Sequence, residues 1–139
     1  MTQINSQLLS NANILGRLEL CHVLLVNHAN FPWLMLVPDK PNLIELIDLS
    51  IDDQHLLIDE IDHASRIVKS VFNADKLNIA TLGNQVSQLH IHVIARHKND
   101  AAWPNPIWQY PTASLASEDQ LARITQLSEA FGFITRKAS

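Results

Sequence analysis

Apolar and polar side chains alternate with period two along Gln88-Leu89-His90-Ile91-His92-Val93. This is the pattern of a strand with one buried and one wet face. Leu89, Ile91 and Val93 point inward, and Gln88, His90 and His92 stand in a row on the other side. Residues 18–26 and 33–37 form two further apolar runs that read as strands, the second stopped by Pro38, which has no N–H to give a ladder. Residues 77–81 and 89–95 are two more, and the turn at Gly83-Asn84 between them predicts an antiparallel hairpin. The clearest helical pattern begins at Ser50, a capping residue, with Asp52 and Asp53 suited to the positive end of the helix dipole. Leu57, Ile61, Ala64, Val68 and Val71 then recur every three or four positions as one apolar stripe, carrying the helix to about Phe72. A short helix is predicted over residues 5–13, ending at Gly16. A last helix is predicted from Ser117, where Ser117-Glu118-Asp119-Gln120 has capping-box spacing. Strands in a run with one long helix inserted predict an α+β fold, an antiparallel sheet with helices packed on one side.

Composition narrows the class. At 139 residues, 47% apolar and 17% charged, the chain is expected to form one globular domain spanning 1–139. A net charge of −4 without a basic run argues against binding a nucleic-acid polymer, although a nucleotide needs only a few donors. The single Cys21 excludes an intrachain disulfide and a cysteine metal cluster. No signal-peptide layout and no apolar run of membrane-spanning length is visible, so a cytoplasmic protein without membrane contact is the expectation.

The row on the strand carries the candidate chemistry. A neutral imidazole is a good nucleophile toward phosphorus, which suits His90. His92, on the same face, can hold a phosphate oxygen where charge builds up. Gln88 can orient an imidazole but cannot take up a proton. A His-x-His pair also suits a metal, but Asp39, Asp75, His97 and Asp100, the candidates for a third ligand, are at no recognised spacing. Gly83 permits backbone conformations closed to other residues, and Asn84 and Gln85 can offer amide donors. Arg96 is read as a solvated charge closing the strand, although its fork of donors also suits phosphate. His22, His28, His55 and His63 read as surface or turn residues. The segment 103–108, with Trp103, Trp108 and two prolines, should run extended over the surface.

The stretch from Gly83 through Gln88, His90 and His92 to Arg96 resembles the signature of the histidine triad (HIT) superfamily, His-φ-His-φ-His-φ-φ with φ apolar, after a Gly-Gln-Ser/Thr-Val turn. Gln88 stands at the first histidine, Asn84-Gln85 replaces Gln-Ser/Thr, and Ala95 replaces a proline. Val26-Asn27, Leu36-Val37-Pro38 and Trp103-Pro104 extend the likeness. The resemblance implies an antiparallel sheet with one long and one or two shorter helices, often as a homodimer. It implies attack by His90 on a nucleoside α-phosphate to give a nucleotidyl-histidine that water cleaves, with phosphoanhydrides or phosphoramidates as substrates. Asn27 matches a position that contacts the ribose, and the segment from Trp103 to Trp108 falls at the substrate mouth, where an indole would stack on a base or close the pocket. No metal or organic cofactor is required by that chemistry. A nucleotide-binding or sensing protein with little turnover is the rival reading, and a metal-dependent hydrolase the third.

Overall fold

The computed structural model describes residues 2–133. In chain order it comprises helix α1 (Ser6–Leu9), strands β1 (Ala12–Arg17), β2 (Cys21–Val26) and β3 (Trp33–Pro38), a 3₁₀ turn (Leu46–Asp48), helix α2 (Ile51–Val71), strands β4 (Lys76–Ala80) and β5 (Ile91–Arg96), and helix α3 (Ser117–Phe131). The strands form one open sheet in the order β1-β2-β3-β5-β4, antiparallel at every step. The fold is α+β, as the sequence predicts.

Both faces of the sheet centre are covered. On one face Leu57, Ala64 and Val68 of α2 and Leu127 of α3 pack against Val23, Leu25, Leu36, Ile91 and Val93. On the other, Ile4 and Leu8 cover Leu24, Val26, Met35 and Val37. The expectation of helices on one side therefore holds for α2 and α3, but α1 lies on the opposite face. β5 is buried at every position because Phe31, Ile107 and Tyr110 cover Ile94, Trp33 and Trp108 pack on His92, and Phe31 and Trp103 flank Arg96, so it has no wet face. His90 and His92 are only 6% and 7% exposed.

The long helix forms as its pattern predicts. Ser50 Oγ accepts the Asp53 N–H at 3.1 Å, and Phe72 is the C-cap. The N-terminal expectation needs correction. Only Ser6–Leu9 is helical, with the Asn5 side chain accepting the Gln7 N–H, and residues 12–17 pair with β2 instead. A helix there would leave the edge of β2 without its ladder partners. Gly16 lies within β1, where the Phe133 ring would stand 2.6 Å from an added Cβ. At the other end of the chain, Ala116 and not Ser117 is the N-cap of α3, and no side chain caps it. Gln120 is drawn away from any capping box into a buried bond with Asn13 Oδ1 at 3.1 Å.

Strand β2 starts at Cys21, three residues later than the apolar run suggests, because residues 18–20 turn the chain. The turn is held from a distance. Buried Glu60 of α2 accepts the N–H groups of Leu20 and Cys21 at 2.8 and 2.9 Å. β4 and β5 do pair antiparallel, with Ala80 opposite His92 and Lys76 opposite Arg96. They are joined by the loop of residues 81–90, not by a tight hairpin turn.

Candidate functional site

That loop delivers the chain to the histidines. His90 immediately precedes β5, and its Nδ1 lies 2.7 Å from the main-chain carbonyl oxygen of Gln88. A carbonyl only accepts, so Nδ1 carries the hydrogen and Nε2 keeps its lone pair. His92, on β5 opposite Met35 of β3, has the reverse arrangement. The indole Nε1–H of Trp33 donates to its Nδ1 at 2.9 Å. Indole only donates, so the neutral ring carries its hydrogen on Nε2. The two rings stand edge to face, 5.0 Å between centroids and 83° between planes. Burial first, and then the neighbouring His90, push the His92 pKa down to about 4.

Both rings line a cavity of about 510 Å³. Gly83, Asn84 and Gln85 form one wall, with Gly83 at φ +77°, the left-handed conformation that suits glycine. Leu8, Val26 and Met35 make an apolar wall. Trp108 closes another side, its ring 4.9 Å from that of His92 and 5.8 Å from that of Trp33. Among the described residues, no Asp, Glu, Lys or Arg lines this cavity.

Three residues expected at the site point elsewhere. The Gln88 side chain does not touch His90: its Oε1 accepts the Asn5 N–H at 2.8 Å and its Nε2 donates to the Gln3 carbonyl at 3.1 Å. Only the main chain of residue 88 orients His90. Asn27 uses its Oδ1 to accept the Leu115 N–H at 2.8 Å and reaches the cavity only through its main-chain bonds to Asn11, which lines it. Trp103 lies outside the cavity, 5.6 Å from the Arg96 guanidinium.

Arg96 itself is a correction. It is 1% exposed, held by both oxygens of Asp100 at 2.8 and 3.0 Å and by Asn78 Oδ1 at 2.8 Å. Burial alone would raise the Asp100 pKa, but the Arg96 bonds and the N–H groups of His97 and Ala102 outweigh it and hold it at about 2. His28 is likewise buried, beside Phe31 and Tyr110, where burial lowers its pKa. The other carboxylate and imidazole candidates for a third metal ligand are engaged too. Asp39 pairs with Arg17, Asp75 accepts the Lys98 N–H, and His97 bonds the Phe72 carbonyl. Among the described residues no three His, Cys, Asp or Glu side chains are placed to hold one metal ion, and no helix is long and apolar enough to cross a membrane.

The profile of the HIT domain matches residues 8–99, about two thirds of the chain. The chain belongs to the HIT family. Solved HIT proteins share its fold closely. A histidine triad protein from Bradyrhizobium japonicum is 41% identical, with 92% of this chain and 96% of that one covered at a TM-score of 0.89. One from Marinobacter aquaeolei VT8 is 35% identical, covering 95% and 97% at 0.91. One from Sinorhizobium meliloti 1021 is 33% identical, covering 92% and 96% at 0.88. No curated protein matches the chain significantly. Trp108 lies beyond the matched HIT segment, yet the resemblance puts the segment 103–108 at the substrate mouth, and of its two indoles it is Trp108 that lines the cavity. Trp33 lies inside the matched segment, but its partner is set by the pairing of β3 with β5, which no local pattern displays.

Proposed function

We propose that this HIT protein is a hydrolase or nucleotidyltransferase acting at a nucleoside α-phosphate through a covalent histidine intermediate. The supporting observation is the bond from His90 Nδ1–H to the Gln88 carbonyl, which leaves Nε2 with a free lone pair on a cavity wall. Nε2 forms a bond to phosphorus while the bond from phosphorus to the leaving group breaks, its electron pair departing with the leaving group. Water then displaces the imidazole. His92 offers its Nε2–H to a non-bridging oxygen, and Asn84 and Gln85 supply further donors. The apolar wall and Trp108 accept a flat base, Trp108 being the indole of the segment 103–108 that takes the stacking role. Asn27 acts on the nucleoside through Asn11. Gln88 contributes its carbonyl in place of its side chain.

The test is rapid quenching of a nucleoside 5′-phosphate ester with the protein, followed by mass spectrometry of the peptide carrying His90. A nucleotidyl adduct that forms and decays with turnover is expected, unchanged by chelators. Turnover without any adduct contradicts the covalent route. The binding or sensing reading rests on one specific feature, the lack of any charged side chain in the cavity among the described residues. Tight nucleotide binding with no turnover selects it. The exposed Ile44, Ile47, Ile51 and Ile58 support a homodimer, checked by sedimentation equilibrium. A cytoplasmic setting remains part of this reading.

A further inference from the structure

Trp33 opens β3 and, with Met35 and Val37, belongs to the face of the sheet that carries the cavity. Its indole N–H is spent on His92 Nδ1, and it packs at 5.4 Å from the His92 ring. A proton on Nδ1 would bring two N–H groups into opposition at 2.9 Å, so this contact fixes the neutral ring as its Nε2–H tautomer and adds to burial in opposing the imidazolium. Facing the ring from the remaining sides are His90 and Trp108. His90 is the one other titratable group lining the cavity among the described residues. Its Nδ1–H is held by the Gln88 carbonyl and its Nε2 is the attacking atom. The Gln88 carboxamide does not titrate and is engaged with Asn5 and Gln3. The cavity therefore contains donors of hydrogen bonds and no group able to surrender a proton.

We propose that Trp33 is a positioning residue that locks His92 as its neutral Nε2–H form, so that the site admits only leaving groups able to depart as stable anions. The proposal rests on the covalent reading above. When Nε2 of His90 bonds to phosphorus, the electron pair of the breaking bond stays on the leaving oxygen, as in a carboxylate or a phosphate. The Nδ1 proton remains on His90 against the Gln88 carbonyl, and water later takes the nucleotide and releases its own proton to solvent. An amine or alkoxide leaving group would need a proton that nothing in the cavity supplies. Acyl phosphates and phosphoanhydrides fit the site, and alkyl phosphoramidates do not.

Two measurements test this. In wild-type protein with 15N-labelled histidine, His92 should show an unprotonated Nδ1, a protonated Nε2 and no titration between about pH 5.5 and 8. Trp33→Phe should release the tautomer: burial and His90 still oppose the imidazolium, so the ring stays neutral but populates the Nδ1–H form as well. A protonated Nδ1 in wild type, or an unchanged spectrum in Trp33→Phe, overturns the lock. The second measurement is turnover of a series of aryl esters of adenosine 5′-phosphate. From p-nitrophenyl to phenyl the wild-type rate should fall by about 10²-fold or more, the contribution a general acid would otherwise supply. Trp33→Phe, in which part of the His92 population turns an Nε2 lone pair toward the phosphate, should lower the rate on both esters while leaving the gap between them. A flat series in wild type overturns the leaving-group rule. Should no ester turn over, the covalent reading fails and the rule with it, while the spectrum decides the lock independently. If Trp33→Phe does not fold, the wild-type spectrum and ester series still decide both parts.

Discussion

The carboxamide oxygen of Gln88 accepts the main-chain N–H of Asn5 at 2.8 Å, joining residues 83 apart in sequence. With the return bond to the Gln3 carbonyl, the Gln88 side chain works as a fastener for the N-terminal segment. Gln7, Leu8 and Asn11, which follow that segment, line the cavity.

Replacing Gln88 should therefore loosen a wall without disarming His90, the proposed nucleophile. In Gln88→Ala and Gln88→His the main-chain carbonyl that orients His90 survives. We expect kcat within about tenfold of wild type, about 1.4 kcal/mol in barrier, with KM raised and amide exchange at residues 5–8 accelerated. A hundredfold loss of kcat at unchanged KM and exchange would show that the side chain acts on His90 directly.

His90→Ala should abolish turnover while leaving the fold and most nucleotide affinity intact, since the apolar wall and Trp108 are untouched. Calorimetric titration with a nucleotide alongside a rate assay checks both halves. Near wild-type turnover would remove His90 from the mechanism.

Acid should weaken the fold in two separate windows. The unfolded chain protonates His92 below its ordinary 6.5, whereas the folded chain refuses the proton down to about 4. Stability is thus highest above pH 6.5 and falls as the pH drops from 6.5 to 4, by about 3 kcal/mol in all. Asp39 and Asp100, both held at about 2, add their loss only below the ordinary 3.8. Urea midpoints at closely spaced pH values, for wild type and His92→Asn, check this. The variant should lose the His92 part of the upper window, keep the part that buried His28 contributes, and keep the lower window.

Asp100→Asn should be costly at a distance from the histidines. It leaves the Arg96 guanidinium buried among Phe31 and Trp103 without its countercharge. Removing one partner of such a pair costs about 3–5 kcal/mol. Chemical denaturation measures this, and a cost under about 1 kcal/mol would mean the pair is solvated.

The sequence displayed what depends on local period and missed what depends on register between distant strands. The stripe from Leu57 to Val71 and the cap at Ser50 are written within one helix, and both formed as read. The alternation from Gln88 to Val93 located the histidines, but it could not show that α1 would cover their face, nor which indole of the segment 103–108 would close it. Trp33 and His92 meet only because β3 pairs with β5. Arg96 and Asp100 stand four residues apart, a spacing usually read on helices, and here they close a strand end. Residues 5–13 misled past Leu9 because Leu8, Leu9 and Ala12 are too few apolar positions to display a period, and the pairing of 12–17 with β2 is not written locally. Gln88 misled because its motif position suggested a partner two residues away when its true partners were at the chain's beginning.

Glu60 sets the alignment of the two layers. The apolar stripe of α2 is smooth enough to meet the sheet at several offsets along its axis, since Leu57, Ala64 and Val68 repeat with the helix. A slide by one turn, about 5.4 Å, would carry the Glu60 carboxylate away from Leu20 and Cys21 and strand two buried N–H groups. Apolar contact brings the helix down onto the sheet, and this one carboxylate works as a detent that fixes where along the sheet it stops.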